Sequence, residues 1–210
     1  MSETILPIVL ASASPRRVQL LAQLGHSCEV RPQDIDETQL AGESPLVYVQ
    51  RMAREKAAAV DVTALPNPSL VLAADTVVAL GDAVFSKPAN LDEALATFRT
   101  LSGRTHIVRT ALCLMEVDSN AVSKTVGERV SETRVTFCEL SPERARRYWE
   151  SGEPEGKAGA YAIQGLGAQF VQNLEGSYSG VMGLPLFETA ELLGLAGVES
   201  LPHLATETYE

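Results

Sequence analysis

The chain has 210 residues, of which 45% are hydrophobic and 21% charged, with a formal net charge of −10. That length supports one sizeable core, and no apolar run reaches the ~18–20 residues a membrane-spanning helix needs. The acidic balance argues against non-specific binding to nucleic acid or an anionic membrane surface, but it leaves room for one small polyanion held where a few cations cluster.

In chain order, Ile8-Val9-Leu10-Ala11 reads as a buried strand running into the small-residue turn Ser12-Ala13-Ser14. Ser14 is a natural N-cap, and Pro15 suits the first helical position. Val18, Leu21 and Leu24 recur at helical spacing, and Gly25 offers a stop. Arg16 and Arg17 then fall in the first turn, where the helix dipole disfavours a cation by about 0.3–1 kcal/mol unless an anion arrives. Strand, small-residue turn, helix N-terminus and paired arginines describe an anion site, with phosphates the first choice. The alternative is two solvated surface arginines.

Residues 26–33 look extended and lead into the acidic loop Asp34-Ile35-Asp36-Glu37. Ser44-Pro45 announces a helix over about 45–60. After Pro66-Asn67-Pro68, Leu70–Ala74 reads as a buried strand ending at Asp75-Thr76, and Gly81-Asp82 as a hairpin turn before Val84–Pro88. Asn90 caps a helix over about 91–101. Two β-rich stretches follow, over about 105–117 and 129–139, joined through Asp118-Ser119-Asn120 and a short strand. Ser141-Pro142 opens another helix, closed by Ser151-Gly152. Glycines at 152, 156, 159, 165, 167, 176, 180 and 183 mark loops or tight turns, and a last helix covers about 186–195. The pattern predicts an α/β fold, a mixed twisted sheet flanked by helices with a cleft between two lobes. One domain is expected over 1–197, with a tail over 198–210.

Cys28, Cys113 and Cys138 stand alone, so neither a disulfide framework nor a Cys-held zinc is expected. The start Met1-Ser2-Glu3-Thr4 lacks the basic region of a signal peptide, and a cytoplasmic setting is the expectation. His26, His106 and His203 are scattered and read as surface or polar-network residues.

Asp75 is the sharpest chemical candidate. Following an apolar strand, it is expected at the strand's C-terminal edge, where open α/β sheets bind ligands. A carboxylate beside a dry core suits metal binding or proton acceptance from water, with a structural turn Asp as the alternative. Asp36 and Glu37 are a second acidic point, either a metal partner of Asp75 or a solvated loop. Lys56 and Lys87 are candidate phosphate partners, although Lys56 also fits an ordinary helix-surface role. Gln164 sits among glycines, and its amide offers a donor beside an acceptor, complementary to N3–H and O4 of uracil or thymine. No G-x-x-x-x-G-K-[ST] and no G-x-S-x-G occurs.

Taken as an ordered set, several segments resemble the Maf family of nucleoside triphosphate pyrophosphatases. They are Leu10–Arg17, Asp36-Glu37, Arg54-Glu55-Lys56-Ala57, Ala74–Val78, Lys87-Pro88, Leu101-Ser102-Gly103, Lys157–Gly165, Gly176-Ser177-Tyr178 and Val181–Leu186. The Lys157-Ala-Gly-Ala-Tyr161…Ile163-Gln164-Gly165 segment looks like the branch acting on dTTP and UTP, with the 7-methyl-GTP branch as the alternative. The resemblance implies a fold related to inosine triphosphate pyrophosphatases, a divalent metal (Mg²⁺ or Mn²⁺) and a homodimer. It makes Asp75 the proton acceptor and Arg16, Thr76 and Gln164 the positions that set substrate preference. Ser14, Arg17 and Lys56 join them as substrate-binding residues and Lys87 as a catalytic one, with metal held by Asp75 and Asp36 or Glu37. One departure is visible: many relatives carry Glu-Lys-Pro where this chain has Ser86-Lys87-Pro88. Two further readings are a nucleotide-binding regulator of cell division that does not turn over, and a phosphomonoesterase releasing inorganic phosphate.

Overall fold

The first apolar run forms strand β1 (Ile8–Leu10), which pairs in parallel with β2 (Cys28–Val30) on one side and β3 (Ser69–Leu80) on the other. The computed structural model describes residues 6–200, so the expected tail falls mostly outside the described residues. From β3 onward the pairing is antiparallel: β3 with β4 (Ala83–Phe85) and β5 (Thr105–Val117), β5 with β6 (Ser123–Phe137), and β6 with β7 (Val171–Glu175). The result is one mixed seven-stranded sheet in the order β2-β1-β3-β5-β6-β7, with β4 beside β3.

Helix α1 (Pro15–Gln23) returns the chain from β1 to β2, and α2 (Pro45–Ala58) carries it back to β3. Helix α2 starts where expected because Ser44 accepts a hydrogen bond from the Val47 amide and Pro45 opens the first turn. Helix α3 (Leu91–Leu101) begins at Asn90, whose side chain accepts from the Glu93 amide. Helix α4 (Pro142–Glu150) is capped in the same way by Ser141. A short helix α5 (Tyr178–Met182) precedes α6 (Leu186–Leu195).

Strand β3 is the spine of the molecule, and its two faces explain the site. Val71, Ala73 and Val77 pack with Val49, Ala53 and Ala57 of α2. Leu70, Leu72 and Ala74 pack instead with Leu20 and Leu21 of α1, Leu112 and Leu114 of β5, and Leu192 and Leu193 of α6. The alternation is the period of two that any strand imposes. Each fully buried Leu contributes about 1.5–3 kcal/mol relative to exposure, which locks the register from both sides. A third cluster, beyond Val78, is aromatic: Phe137 stacks edge-on against His106 and Tyr161, with both centroids 4.8 Å away, and Tyr148 against Phe170 at 4.9 Å.

Two expectations change here. The strand expected to end at Asp75-Thr76 runs on to Leu80, because β5 offers an antiparallel partner from Ser69 to Ala79. Asp75 nevertheless stands in open ground on one side, since the parallel neighbour β1 stops at Leu10, opposite Leu72. The two β-rich pieces expected around 121–139 merge into the single strand β6, which absorbs a bulge opposite Leu114 and Met115. Strand β7 and helix α5 arise inside what reads as a glycine-rich loop region, where tertiary pairing with β6 and the Ser177 cap to Gly180 override the local signal.

Candidate active site

The alternation along β3 sends Asp75 and Thr76 to opposite faces, and each meets a cation from a different helix. On the α2 side, Lys56 belongs to the helix's buried stripe with Val49, Met52, Ala53 and Ala57. Its Nζ lies 2.6 Å from Asp75 Oδ1 and 2.6 Å from Glu37 Oε1, so one ammonium bridges two carboxylates. Lys56 and Asp75 are each only 8% exposed, so the helix-surface reading of Lys56 gives way to a buried one. Asp75 Oδ2 accepts no hydrogen bond from the described residues. Lys87, much more exposed, approaches Glu37 at 3.9 Å. Burial pushes the Glu37 carboxyl up, but the Lys56 hydrogen bond and the charges of Lys56, Lys87 and Arg17 outweigh it and hold the group below its ordinary value.

On the other face, Thr76 receives Arg17. The guanidinium donates from Nε to the Gly183 carbonyl (2.8 Å), from Nη1 to Ser12 Oγ (3.0 Å) and from Nη2 to Thr76 Oγ1 (3.2 Å). Thr76 Oγ1 also lies 2.9 Å from Thr110 Oγ1 of β5, whose hydroxyl donates to the Gly180 carbonyl. Arg17 thus ties the loop after β1, strand β3 and the turn between α5 and α6 into one unit. Gly183 permits the close approach: its φ is +113°, and a Cβ there would meet Arg17 Nε and Thr76 Oγ1 at 3.4 Å. Burial holds the Arg17 guanidinium below its ordinary value; Asp75 and Glu37 oppose that shift and Arg16 reinforces it.

Both faces open into one cavity of about 730 Å³. Ser14, Arg16, Arg17, Glu37, Lys56, Asp75, Thr76 and Lys87 all line it, so eight of the residues singled out from sequence come together. Ser14 occupies the N-cap position of α1 but makes no side-chain cap hydrogen bond; its carbonyl accepts the Arg17 and Val18 amides at 3.1 and 3.4 Å, and Pro15 has no N–H, so in the first turn only the Arg16 amide is without a partner among the described residues. Phe85, Val108, Tyr161, Val181 and Met182 supply an apolar stretch of wall. Gly159, at φ +68°, lets the turn carrying Lys157 and Tyr161 lie directly on Val78, where a Cβ would come within 2.9 Å of the valine methyls.

Two expected residues lie elsewhere. Asp36 is exposed and outside the cavity lining; its carboxylate accepts the Thr38 amide at 2.9 Å within its own loop. Gln164 is exposed and also outside the lining. Its turn is anchored by Glu153, which accepts from the Tyr148 hydroxyl and from the amides of Leu166 and Gly167 at 2.6–2.9 Å.

A family model described as Maf-like protein matches residues 7–196. The chain belongs to this family. The chain is 45% identical over 191 residues to the dTTP/UTP pyrophosphatase of Pseudoalteromonas atlantica, covering 89% of this chain and 95% of that protein. It is 50% identical over 190 residues to the dTTP/UTP pyrophosphatase of Anaeromyxobacter dehalogenans, covering 90% and 94%. The same name is carried by a Hahella chejuensis relative, 44% identical over 193 residues. The family match spans every element that lines the cavity.

Sequence reasoning passed over several cavity residues. Ser12, Gln33, Tyr48 and Lys157 line it; Ser12 and Lys157 lie in segments shared with the family, but sequence reasoning gives them no role of their own, and Gln33 looks like an ordinary residue of an extended stretch. Tyr48 carries a usable signal of its own, an aromatic on α2 two turns before Lys56.

Proposed function

We propose that the protein hydrolyses dTTP and UTP to the monophosphate and pyrophosphate. The observation that carries this reading is the convergence of Asp75, Glu37 and five cations on one cavity, in a chain of the Maf-like family whose relatives are named dTTP/UTP pyrophosphatases. Asp75 Oδ2 takes a proton from a water whose oxygen bonds to the α-phosphorus. The bond from the α-phosphorus to the bridging oxygen breaks, and its electron pair leaves with pyrophosphate. Arg16 and Lys87 carry the triphosphate charge, while Lys56 holds Asp75 and Glu37 in a common orientation. Arg17 orients Thr76, and the wall of Phe85, Tyr161 and Met182 accepts the flat face of a base.

Among the described residues no group of three or more His, Cys, Asp or Glu is placed to hold an ion. Two carboxylates converging on one point do suit Mg²⁺ or Mn²⁺, which is commonly held by one or two carboxylates together with substrate phosphates and water. Asp75 and Glu37 would hold that cation, which when bound draws charge off the triphosphate. A homodimer in a cytoplasmic setting belongs to the same reading; no helix among the described residues is long and apolar enough to cross a membrane.

The test is a panel of nucleoside triphosphates, including dTTP, UTP and 7-methyl-GTP, assayed for pyrophosphate release with and without Mg²⁺ or Mn²⁺. Preferential release from dTTP and UTP is expected. Inorganic phosphate as the first product, or tight binding of dTTP without turnover, overturns the reading. Asp75→Asn is expected to lower turnover by about 10²–10⁴-fold, the range for loss of general-base work. Full activity in that variant removes Asp75 from the chemistry.

A further inference from the structure

Glu37 reaches the cavity from a segment without regular structure, between β2 and α2. A loop of that length does not by itself hold a carboxylate against a partner, so its anchors matter. Helix α2 supplies them. The Tyr48 hydroxyl donates to the Glu37 carbonyl oxygen at 2.8 Å. Arg51 donates to the Thr38 carbonyl at 2.9 Å and grips Glu43 through Nε and Nη2, at 2.7 and 2.8 Å. Glu43 in turn accepts the Leu40 amide at 3.0 Å.

These anchors form one assembly. The Arg51 guanidinium lies 5.7 Å from the centroid of the Tyr48 ring, and the Arg51–Glu43 pair is largely buried, with side chains 18% and 5% exposed. Two turns along the same helix, Lys56 meets the carboxylate of the residue whose carbonyl Tyr48 holds. Backbone and side chain of Glu37 are therefore both fixed from α2, eight residues apart. Tyr48 also lines the cavity itself.

We infer that Tyr48 is a positioning residue: with Arg51 clamping the loop behind it, it sets the carboxylate of Glu37 in register with Lys56 and Asp75, and so governs how well the site accepts a metal–nucleotide complex. This rests on the reading of Glu37 as a metal-side acid. Outer groups that orient a ligating carboxylate commonly change metal affinity or activity by about 10–100-fold when removed.

The experiment uses Tyr48→Phe, which removes one oxygen and keeps the ring. Hydrogen exchange of the peptide covering residues 34–43 is compared with that of β3, alongside pyrophosphate release from dTTP as Mg²⁺ is titrated. Expected are faster exchange in 34–43 with β3 unchanged, and a Mg²⁺ midpoint raised by about 10-fold. In the Glu37→Gln background the same change is expected to add less than about 2-fold, because both act through one carboxylate. Unchanged exchange overturns the tether. Faster exchange with an unmoved Mg²⁺ midpoint, or effects that multiply with those of Glu37→Gln, leaves a purely structural tether and overturns the positioning role. If the unsubstituted protein releases no pyrophosphate, the functional reading fails, while the exchange arm still judges the tether.

Discussion

The two walls of the cleft hold their cations under opposite conditions. On the α2 side Lys56 is compensated twice, by Asp75 and Glu37, and Lys87 leans on the same glutamate. On the α1 side Arg16, Arg17 and Lys157 have no carboxylate within 4 Å among the described residues. Burial holds all three below their ordinary pKa values, and charge repulsion from Arg16 adds to the effect on Arg17 and Lys157. A paired wall can present carboxylates without collapsing, while on the unpaired wall Arg17 commits its donors to the scaffold and Arg16 and Lys157 offer charge to something from outside. Polyanion binding needs the second property, and water activation needs the first.

The sharpest way to break this contrast is to unpair the paired wall. Lys56→Met leaves the buried Asp75 carboxylate unpaired beside the exposed Glu37, and removing one partner of a buried ion pair costs about 3–5 kcal/mol. Thermal or urea unfolding at pH 7 should register that loss together with reduced pyrophosphate release. Stability within about 1 kcal/mol of the parent would mean the bridge carries little.

Both walls rest partly on the aromatic cluster, and acid tests that support. His106 is fully buried, with Nε2 2.9 Å from the Tyr161 hydroxyl and no hydrogen-bond partner at Nδ1. Burial lowers its pKa to about 4 from the ordinary 6.5. A depressed histidine leaves the unfolded chain holding more protons between those values, so its contribution is intact above pH 6.5 and declines as pH falls toward 4. The decline is on the order of 2–4 kcal/mol, and His106→Phe should flatten this part of a stability–pH curve measured by denaturant unfolding.

Smaller effects separate the two arginines. Arg17→Met strands the Gly183 carbonyl and two hydroxyls, a loss of about 1–3 kcal/mol. Arg17→Lys keeps the charge but not the fork and should recover only part of it. The Arg16 side chain makes no hydrogen bond among the described residues, so Arg16→Ala should change stability by no more than about 0.5 kcal/mol while nucleotide preference in the panel shifts. Equal stability losses at both positions would erase the distinction between a structural and a substrate-facing arginine.

Much of this was legible beforehand. Helix starts at Pro45, Leu91 and Pro142 follow from their capping residues, and the Gly81-Asp82 turn from its chemistry. Asp75, Lys56 and Glu37 were singled out as types suited to the chemistry, and the fold brings them within hydrogen-bonding reach. What escaped was the work of Arg17, Tyr48 and Glu153. An arginine in a first turn looks the same in sequence whether it faces solvent, phosphate or a carbonyl 166 residues away. Likewise Asp36 and Glu37 are neighbours in an acidic pair, and only the loop's path brings Glu37 into the cavity while Asp36 accepts its own loop's amide.

The sequence by itself determined the family motifs, the helix caps and the buried run Leu70–Ala74 that leads into Asp75 and Thr76. Those features are local, written in spacing and capping. Tertiary structure alone decided which cation each of the two meets, which acid of the loop enters the cavity and which arginine is consumed by the scaffold. These outcomes depend on where α2, the 31–44 loop and the turn at Gly183 come to rest, and contacts between distant segments are set by packing the whole core, not by the pattern of any one stretch.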